Sequence, residues 1–384
     1  MKKLNIIIEA PLLKKDFKRF GISYLSKNFQ LEIIDISYLT KKKIHQRLKL
    51  DEYISNKADN FKINTIKSVK YFIKFIKKNK NEFCIDYLGD IPINQILRYV
   101  FFLFDFKLIK TSHGMLPNKP LSIRNYKYFF HKMLNLSHWI NFLFNKIKFN
   151  RWHIYMISCK KAEKIRNSNY ILHTYTFDYA TYLEFEKNNS QNYINNSKRK
   201  INAVFIDQNL ADNTDFLITK HKTVKREIYY NQLKHFFDCL DSNKWNIKIA
   251  LHPKNEIKNI EKYLVDYKII NNNTISEVKN SDIIFCHYST ALNFAYLYNK
   301  PIIVIYINEM KDKHYFQRYI NALCDYHKII PLNISEFKDN DIDINKFSNT
   351  SKYEDYINDF IKHPKSKNKY IWEEFTNFLL SYNK

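Results

Sequence analysis

Glycine is nearly missing from this chain. Only Gly21, Gly89 and Gly114 occur in 384 residues. Three isolated glycines cannot form G-x-G-x-x-G or G-x-x-x-x-G-K, so the glycine-rich loops of dinucleotide dehydrogenases and P-loop NTPases are excluded. Any phosphate must be held by helix termini, hydroxyls, His, Lys or Arg. Cysteine is sparse as well. Cys84, Cys159, Cys239, Cys286 and Cys324 are odd in number, scattered and never paired as C-x-x-C, which reads as a reducing compartment without structural zinc. Long apolar runs are also lacking: none approaches the ~18 residues of a membrane-spanning helix. The opening Met1-Lys2-Lys3-Leu4 resembles a signal peptide only until Glu9 breaks the apolar stretch, and a first β-strand fits it better. The expected compartment is the cytoplasm.

Acidic residues are in short supply. Lys and Arg number 63 against 38 Asp and Glu, a formal charge of +25. Part of this is compositional, because Lys, Asn and Ile crowd the whole chain. The rest suits an anionic membrane leaflet or nucleic acid. The basic residues spread over both halves and no RRM, KH, zinc-finger or helix-turn-helix signature occurs, so nucleic acid is not an expected partner. Two aromatic-basic stretches, Lys62–Lys80 and Tyr126–Trp152, have the form of interfacial amphipathic helices. Ordinary core-facing stripes have that form too. A protein peripheral to an anionic membrane is expected.

At this length two domains are expected, since one core rarely serves more than ~250–300 residues. Strand patterns at Lys3–Ala10, Leu31–Ile36, Glu82–Leu88, Lys107–Ser112 and Tyr170–Thr174 alternate with helical patterns. The asparagine-rich residues 188–200 have a linker's composition. The rhythm then restarts at Ile201–Asp207, with a helix around Lys225–Leu240 and strands ending at His252, at Ser289 and after Pro301. This is a βα alternation with parallel sheets. The expected fold class is α/β with two Rossmann-like parallel-sheet domains facing a cleft: 1–187, a linker over 188–200, 201–350, and C-terminal helices over 351–384.

Two dipeptides stand where strands end. Trp245–Leu251 delivers His252-Pro253, and Asp282–Tyr288 delivers Ser289-Thr290 ahead of a helical pattern. Ligands of open parallel sheets bind at the carboxyl ends of the strands. Hydroxyls at a helix start, with the dipole behind them, suit a phosphate, and a nearby histidine can hydrogen-bond it. Lys254 adds charge. Asp207, ending the Ile201 strand, and Glu309, beyond the Pro301 strand, are further candidate ligand contacts.

These motifs resemble those of bacterial GT-B glycosyltransferases that use CMP-activated acidic sugars: the capsule and lipopolysaccharide sialyltransferases, polysialyltransferases and their Kdo-transferring relatives. There an H-P and an S-S/T motif hold the CMP phosphate, matched here by His252-Pro253 and Ser289-Thr290. The resemblance covers the layout and about three short motifs. It implies an inverting enzyme, peripheral to the inner membrane, that moves an acidic sugar from a CMP donor held by the second domain, 201–350, to a glycan or glycolipid acceptor held by the first, 1–187, in capsule, lipooligosaccharide or O-antigen. Its catalytic acid follows a strand of the first domain as (D/E)-D-G. Here that segment is Lys110-Thr111-Ser112-His113-Gly114, and Ser112 and His113 replace the acids. His113 is the first candidate base, Asp178 the second and Glu9 the third. No cofactor is expected besides the CMP-sugar substrate. No metal is expected either, because the two D-x-D matches, over Asp339–Asp343, overlap in a polar loop-like region. A polyol-phosphate transferase with a CDP donor and a UDP-sugar GT-B enzyme remain alternatives, with a basic nucleic-acid-binding protein more remote.

Overall fold

The computed structural model describes residues 1–12, 14–40, 61–89, 92–112, 115–119, 152–164, 168–189, 200–211, 223–253, 255, 257–313 and 315–382. Thirteen strands form two sheets among them. The first contains β1 (Lys3–Ile8), β2 (Gln30–Asp35), β3 (Phe61–Thr65), β4 (Phe83–Asp86), β5 (Lys107–Thr111), β6 (Trp152–Ile157) and β7 (Ser168–His173) in the order 3-2-1-4-5-6-7. The second contains β8 (Ile201–Ile206), β9 (Trp245–Ala250), β10 (Lys268–Ile270), β11 (Ile283–Cys286), β12 (Ile302–Tyr306) and β13 (Leu332–Asn333) in the order 10-9-8-11-12-13. Every pairing is parallel. Each sheet thus repeats the doubly wound order in which the fourth strand lies beside the first. The runs Ile6-Ile7-Ile8, Ile283-Ile284-Phe285-Cys286 and Ile302-Ile303-Val304-Ile305 are buried along their length. Strands covered on both faces read as such continuous apolar runs.

The helices used below are α1 (Ile22–Asn28), α2 (Val69–Lys78), α3 (Pro92–Leu103), α4 (Phe177–Asn188), α5 (Arg226–Cys239), α6 (Leu292–Leu297) and α7 (Ile371–Ser381). Between residues 14 and 28 the helical run is broken at Gly21, whose φ of +63° is left-handed. Trp372 of α7 lies against it, so close that a Cβ there would collide with the indole ring. Glycine alone supplies both the conformation and the space. The Lys62–Lys80 stretch is strand β3 followed by α2, and Phe72, Phe75 and Ile76 of α2 belong to the core. Its apolar face is core-facing. The Tyr126–Trp152 stretch lies outside the described residues except for Trp152, which opens β6. Among the described residues no helix is long and apolar enough to cross a membrane.

The chain forms two units: 1–113, 123–177 and 363–384 make the first, and 114–122 with 178–362 the second. The boundaries expected from the sequence were 1–187, 188–200, 201–350 and 351–384. The changeover falls at the start of α4, ahead of the asparagine-rich stretch, of which residues 190–199 are outside the described set. The reason is side-chain chemistry along α4. Glu186 accepts from Lys279 Nζ at 2.8 Å and from Tyr298 OH at 2.7 Å, and Tyr182 meets the Tyr298 ring edge-on at 5.3 Å. The C-terminal helices also part company. Tyr353–Ile361 stays with the second unit, whereas α7 returns to the first. There Lys2 Nζ donates to Leu379 O at 3.0 Å and His153 Nε2 lies 2.8 Å from Tyr382 OH.

Candidate functional site

The second sheet reverses direction between β8 and β11, and the segments leaving β8, β9 and β11 meet at that point. Asp207, directly after β8, is buried. Its Oδ2 accepts from the His252 N–H at 3.2 Å and from Asn255 Nδ2 at 3.0 Å, while Oδ1 accepts from the Asn209 N–H at 2.9 Å. Asn255 Nδ2 also reaches Tyr230 OH of α5 at 3.2 Å, and its backbone N–H closes a turn on His252 O at 2.8 Å. Pro253 occupies the second position of that turn, where its fixed φ fits. Asp207 therefore positions the His252 backbone and leaves the half-buried imidazole at the carboxyl edge of the sheet. Next to it, Gln208 Oε1 accepts from the Tyr288 N–H at 2.8 Å, fastening the β11 loop to the β8 loop.

His287 anchors that loop from below. It is fully buried, its Nδ1 donates to Ile305 O at 2.6 Å, and its Nε2 accepts from Tyr229 OH at 2.9 Å. One neutral tautomer satisfies both bonds. Burial pushes its pKa down to about 4, against a smaller upward pull from the Ile305 carbonyl. Tyr229 and Tyr230, adjacent on α5, thus serve the two loops separately. Sequence reasoning missed Asn255, His287, Tyr229 and Tyr230. The available signals were a histidine ending a fully apolar strand and a polar residue three places beyond His252.

Ser289 Oγ accepts from the Ala291 N–H at 3.2 Å, which folds its loop locally and leaves the hydroxyl proton to donate. Thr290 is exposed beside it. The following helix differs from expectation. It starts at Leu292, not directly after Ser289, and α6 spans only six residues. The hydroxyls, more than a helix dipole, are what this corner offers an anion. Asn293 of α6 donates to Asp178 Oδ2 at 2.8 Å. Asp178, in the first turn of α4, thereby comes to the helix that follows the hydroxyl pair, all within the second unit.

Glu309 receives the Lys225 N–H at 3.3 and 3.2 Å and so ties the residue before α5 to the segment after β12. Lys254, His113 and Gly114 lie outside the described residues. Ser112, before them, is pinned to the end of β6: its N–H donates to Met156 O at 2.9 Å and its Oγ accepts from the Ser158 N–H at 2.7 Å. Glu9 follows β1 at the reversal point of the first sheet. Asn94 Nδ2 holds it at 2.6 Å and also reaches Gly89 O at 2.9 Å.

Among the described residues one group has a metal-type ligand set: Glu163, His173 and His363, with ligand atoms within 4.8 Å of one another. The Lys365 N–H donates to His363 Nδ1 at 3.1 Å, which leaves the ring proton on Nε2, 2.8 Å from Glu163 Oε1. A protonated Nε2 has no lone pair for a metal. The set acts as a hydrogen-bonded clamp where the chain re-enters the first unit, and the His363 bond holds the Glu163 carboxyl below its usual range.

No protein-family model matches this sequence, and no curated protein matches it. Solved structures match in fold. The wall teichoic acid polymerase TagF aligns with 99% of this chain and 89% of its own, at 13% identity and a TM-score of 0.51. A point variant of TagF gives 12%, with 99% and 88% coverage and a TM-score of 0.51. An S. aureus MnaA–UDP structure gives 12% identity, 100% and 97% coverage and a TM-score of 0.47. At such identities the likeness concerns the fold alone. With two parallel sheets of doubly wound order, this chain has the two-domain α/β architecture of the GT-B type.

Proposed function

We propose that this protein is a metal-independent transferase of the GT-B kind that takes an activated group from a cytidine nucleotide and passes it to a hydroxyl of a bacterial surface glycan. The observation that carries this reading is the Asp207-centred scaffold, which places His252 and Ser289-Thr290 at the reversal point of the second sheet. That is where an open α/β sheet binds its ligand. The donor is read as a CMP-linked acidic sugar, on the motif resemblance. The acceptor oxygen attacks the anomeric carbon, the bond from that carbon to the phosphate oxygen breaks, and CMP departs with the bonding pair. His252, Ser289 and Thr290 then meet charge growing on the phosphate, the interaction that lowers such barriers most. The acceptor proton goes to a base, with His113 first and Asp178 second. The first unit is assigned to the acceptor, a glycan or glycolipid at the anionic inner-membrane surface.

A second reading, a polyol-phosphate transferase with a CDP donor, is favoured by the fold likeness to a wall teichoic acid polymerase. Both chemistries release CMP. The test incubates purified protein, in EDTA, with CMP-linked acidic sugars, CDP-linked polyols and UDP-sugars in turn, with a membrane-derived glycan acceptor. CMP release from the acidic-sugar donors supports the first reading, and release from CDP-polyols alone supports the second. Turnover of UDP-sugars alone, or a strict need for added Mg²⁺, contradicts the proposal. His252→Ala should cut turnover by about 10²-fold, the usual cost of losing one stabiliser of leaving-group charge.

A further inference from the structure

The outward side of α3 carries exposed apolar residues and no charged one. Its single charged residue, Arg98, is buried: Nε donates to Asp86 Oδ2 and a terminal nitrogen to Leu88 O, both at 2.7 Å. Asn94 and Gln95 are buried too. Facing out are Ile93, Ile96, Phe102 and Leu103, exposed by 38, 43, 43 and 55%. Ile93, Ile96 and Leu103 are three and seven residues apart, one stripe of a helix. A helix covering a parallel sheet ordinarily shows water its polar side, and this one does not.

Beside it lies α2, on the same core. The Phe72 and Phe101 rings meet edge-on at 5.5 Å, and Lys80 Nζ sits 5.8 Å from the Phe104 ring. While α2 buries its phenylalanines, Lys70, Lys74, Lys77 and Lys78 are exposed along it, with Lys67 and Lys80 beyond its ends. Neither helix contains an Asp or Glu.

We propose that α2 and α3 form a docking surface for an anionic phospholipid bilayer. The isoleucines and Leu103 of α3 enter the boundary between headgroups and acyl chains, and the α2 amines meet the lipid phosphates. The charge pattern selects this occupant. A nucleic-acid backbone offers nothing to an apolar stripe. A second copy of a chain of charge +25 would bring its own amines against these. The surface deepens the reading of a membrane-side acceptor, but it stands on the geometry of the first unit, and its test does not depend on transfer.

The test is cosedimentation with vesicles of phosphatidylcholine, with and without phosphatidylglycerol. The parent protein should prefer the anionic vesicles, and salt should weaken that preference. Ile96→Ser/Leu103→Ser should lower partitioning about tenfold or more, since two large aliphatic groups no longer leave water. Lys70→Gln/Lys74→Gln/Lys77→Gln should remove the preference for anionic lipid. Both variants should melt and bind CMP like the parent, which separates docking from folding and from donor chemistry. Unchanged partitioning of the serine variant would overturn the proposal. So would loss of binding only on substitution within 126–151, or a vesicle-free dimer dispersed by the serine substitutions, which would make a second copy the occupant.

Discussion

Replacing Asp207 with Asn tests whether this buried carboxylate builds the donor corner. Its two oxygens accept three hydrogen bonds, from the His252 N–H, Asn255 Nδ2 and the Asn209 N–H, at 3.2, 3.0 and 2.9 Å. Asparagine fills the same volume but has one acceptor oxygen. Its best placement keeps that oxygen toward His252 and Asn255 and turns the amide nitrogen onto the Asn209 N–H, donor against donor. At least one bond to a charged group is lost, about 1.5–3 kcal/mol. For a unit of this size that lowers Tm by roughly 4–10 °C. The His252 loop then loses its fixed register, and CMP affinity should fall about tenfold, or ~1.4 kcal/mol. Differential scanning calorimetry with and without CMP measures both effects. An Asp207→Asn protein that melts and binds CMP like the parent would refute the positioning role.

Two further outcomes are expected. The His287 ring is held near pKa 4 in the fold, against an ordinary 6.5 in the unfolded chain. Between those values the unfolded chain binds a proton that the fold refuses, so stability is complete above pH 6.5 and falls as pH drops toward 4, by at most about 3 kcal/mol from this ring. His327, also pushed down to about 4 by burial, adds in the same direction. Urea unfolding at pH 7.5 and 5 checks this, and His287→Gln should flatten the slope; equal slopes for variant and parent would contradict it. Of the candidate bases, His113→Ala should lower kcat while CMP affinity holds, whereas Asp178→Ala, which frees Asn293 beside the hydroxyl pair, should weaken CMP binding as well. If only the Asp178 variant loses kcat while both stay folded and bind CMP, His113 is structural.

The parallel-sheet architecture was legible where strands are buried on both faces, as at Ile6-Ile7-Ile8 and Ile302–Ile305, because such strands need uninterrupted apolar residues. Four strands escaped. β3 mixes Lys, Asn and Thr with its apolar residues and is only partly buried, so it read as part of a helix. β6 follows an aromatic stretch that masked its start. β10 and β13 span three and two residues, too short for any period to show. For the boundary between units the sequence offered only composition, which marks where a chain is polar, whereas Glu186, Tyr182 and Asp178 make the contacts of α4 with the second unit. Strand ends announced His252 and Ser289-Thr290. The scaffold beneath them, Asn255, His287, Tyr229 and Tyr230, comes from three separate segments that only folding brings together.

The central claim is that His252 and Ser289-Thr290 hold the phosphate of a cytidine nucleotide. Isothermal titration of CMP into the parent protein and into folded His252→Ala and Ser289→Ala variants tests it most directly. The account predicts that the parent binds CMP in preference to UMP and GMP, with affinity reduced about tenfold or more in each variant, as when a hydrogen bond to a charged group is removed. No measurable CMP binding by the parent, or equal affinity in all three proteins, would contradict it.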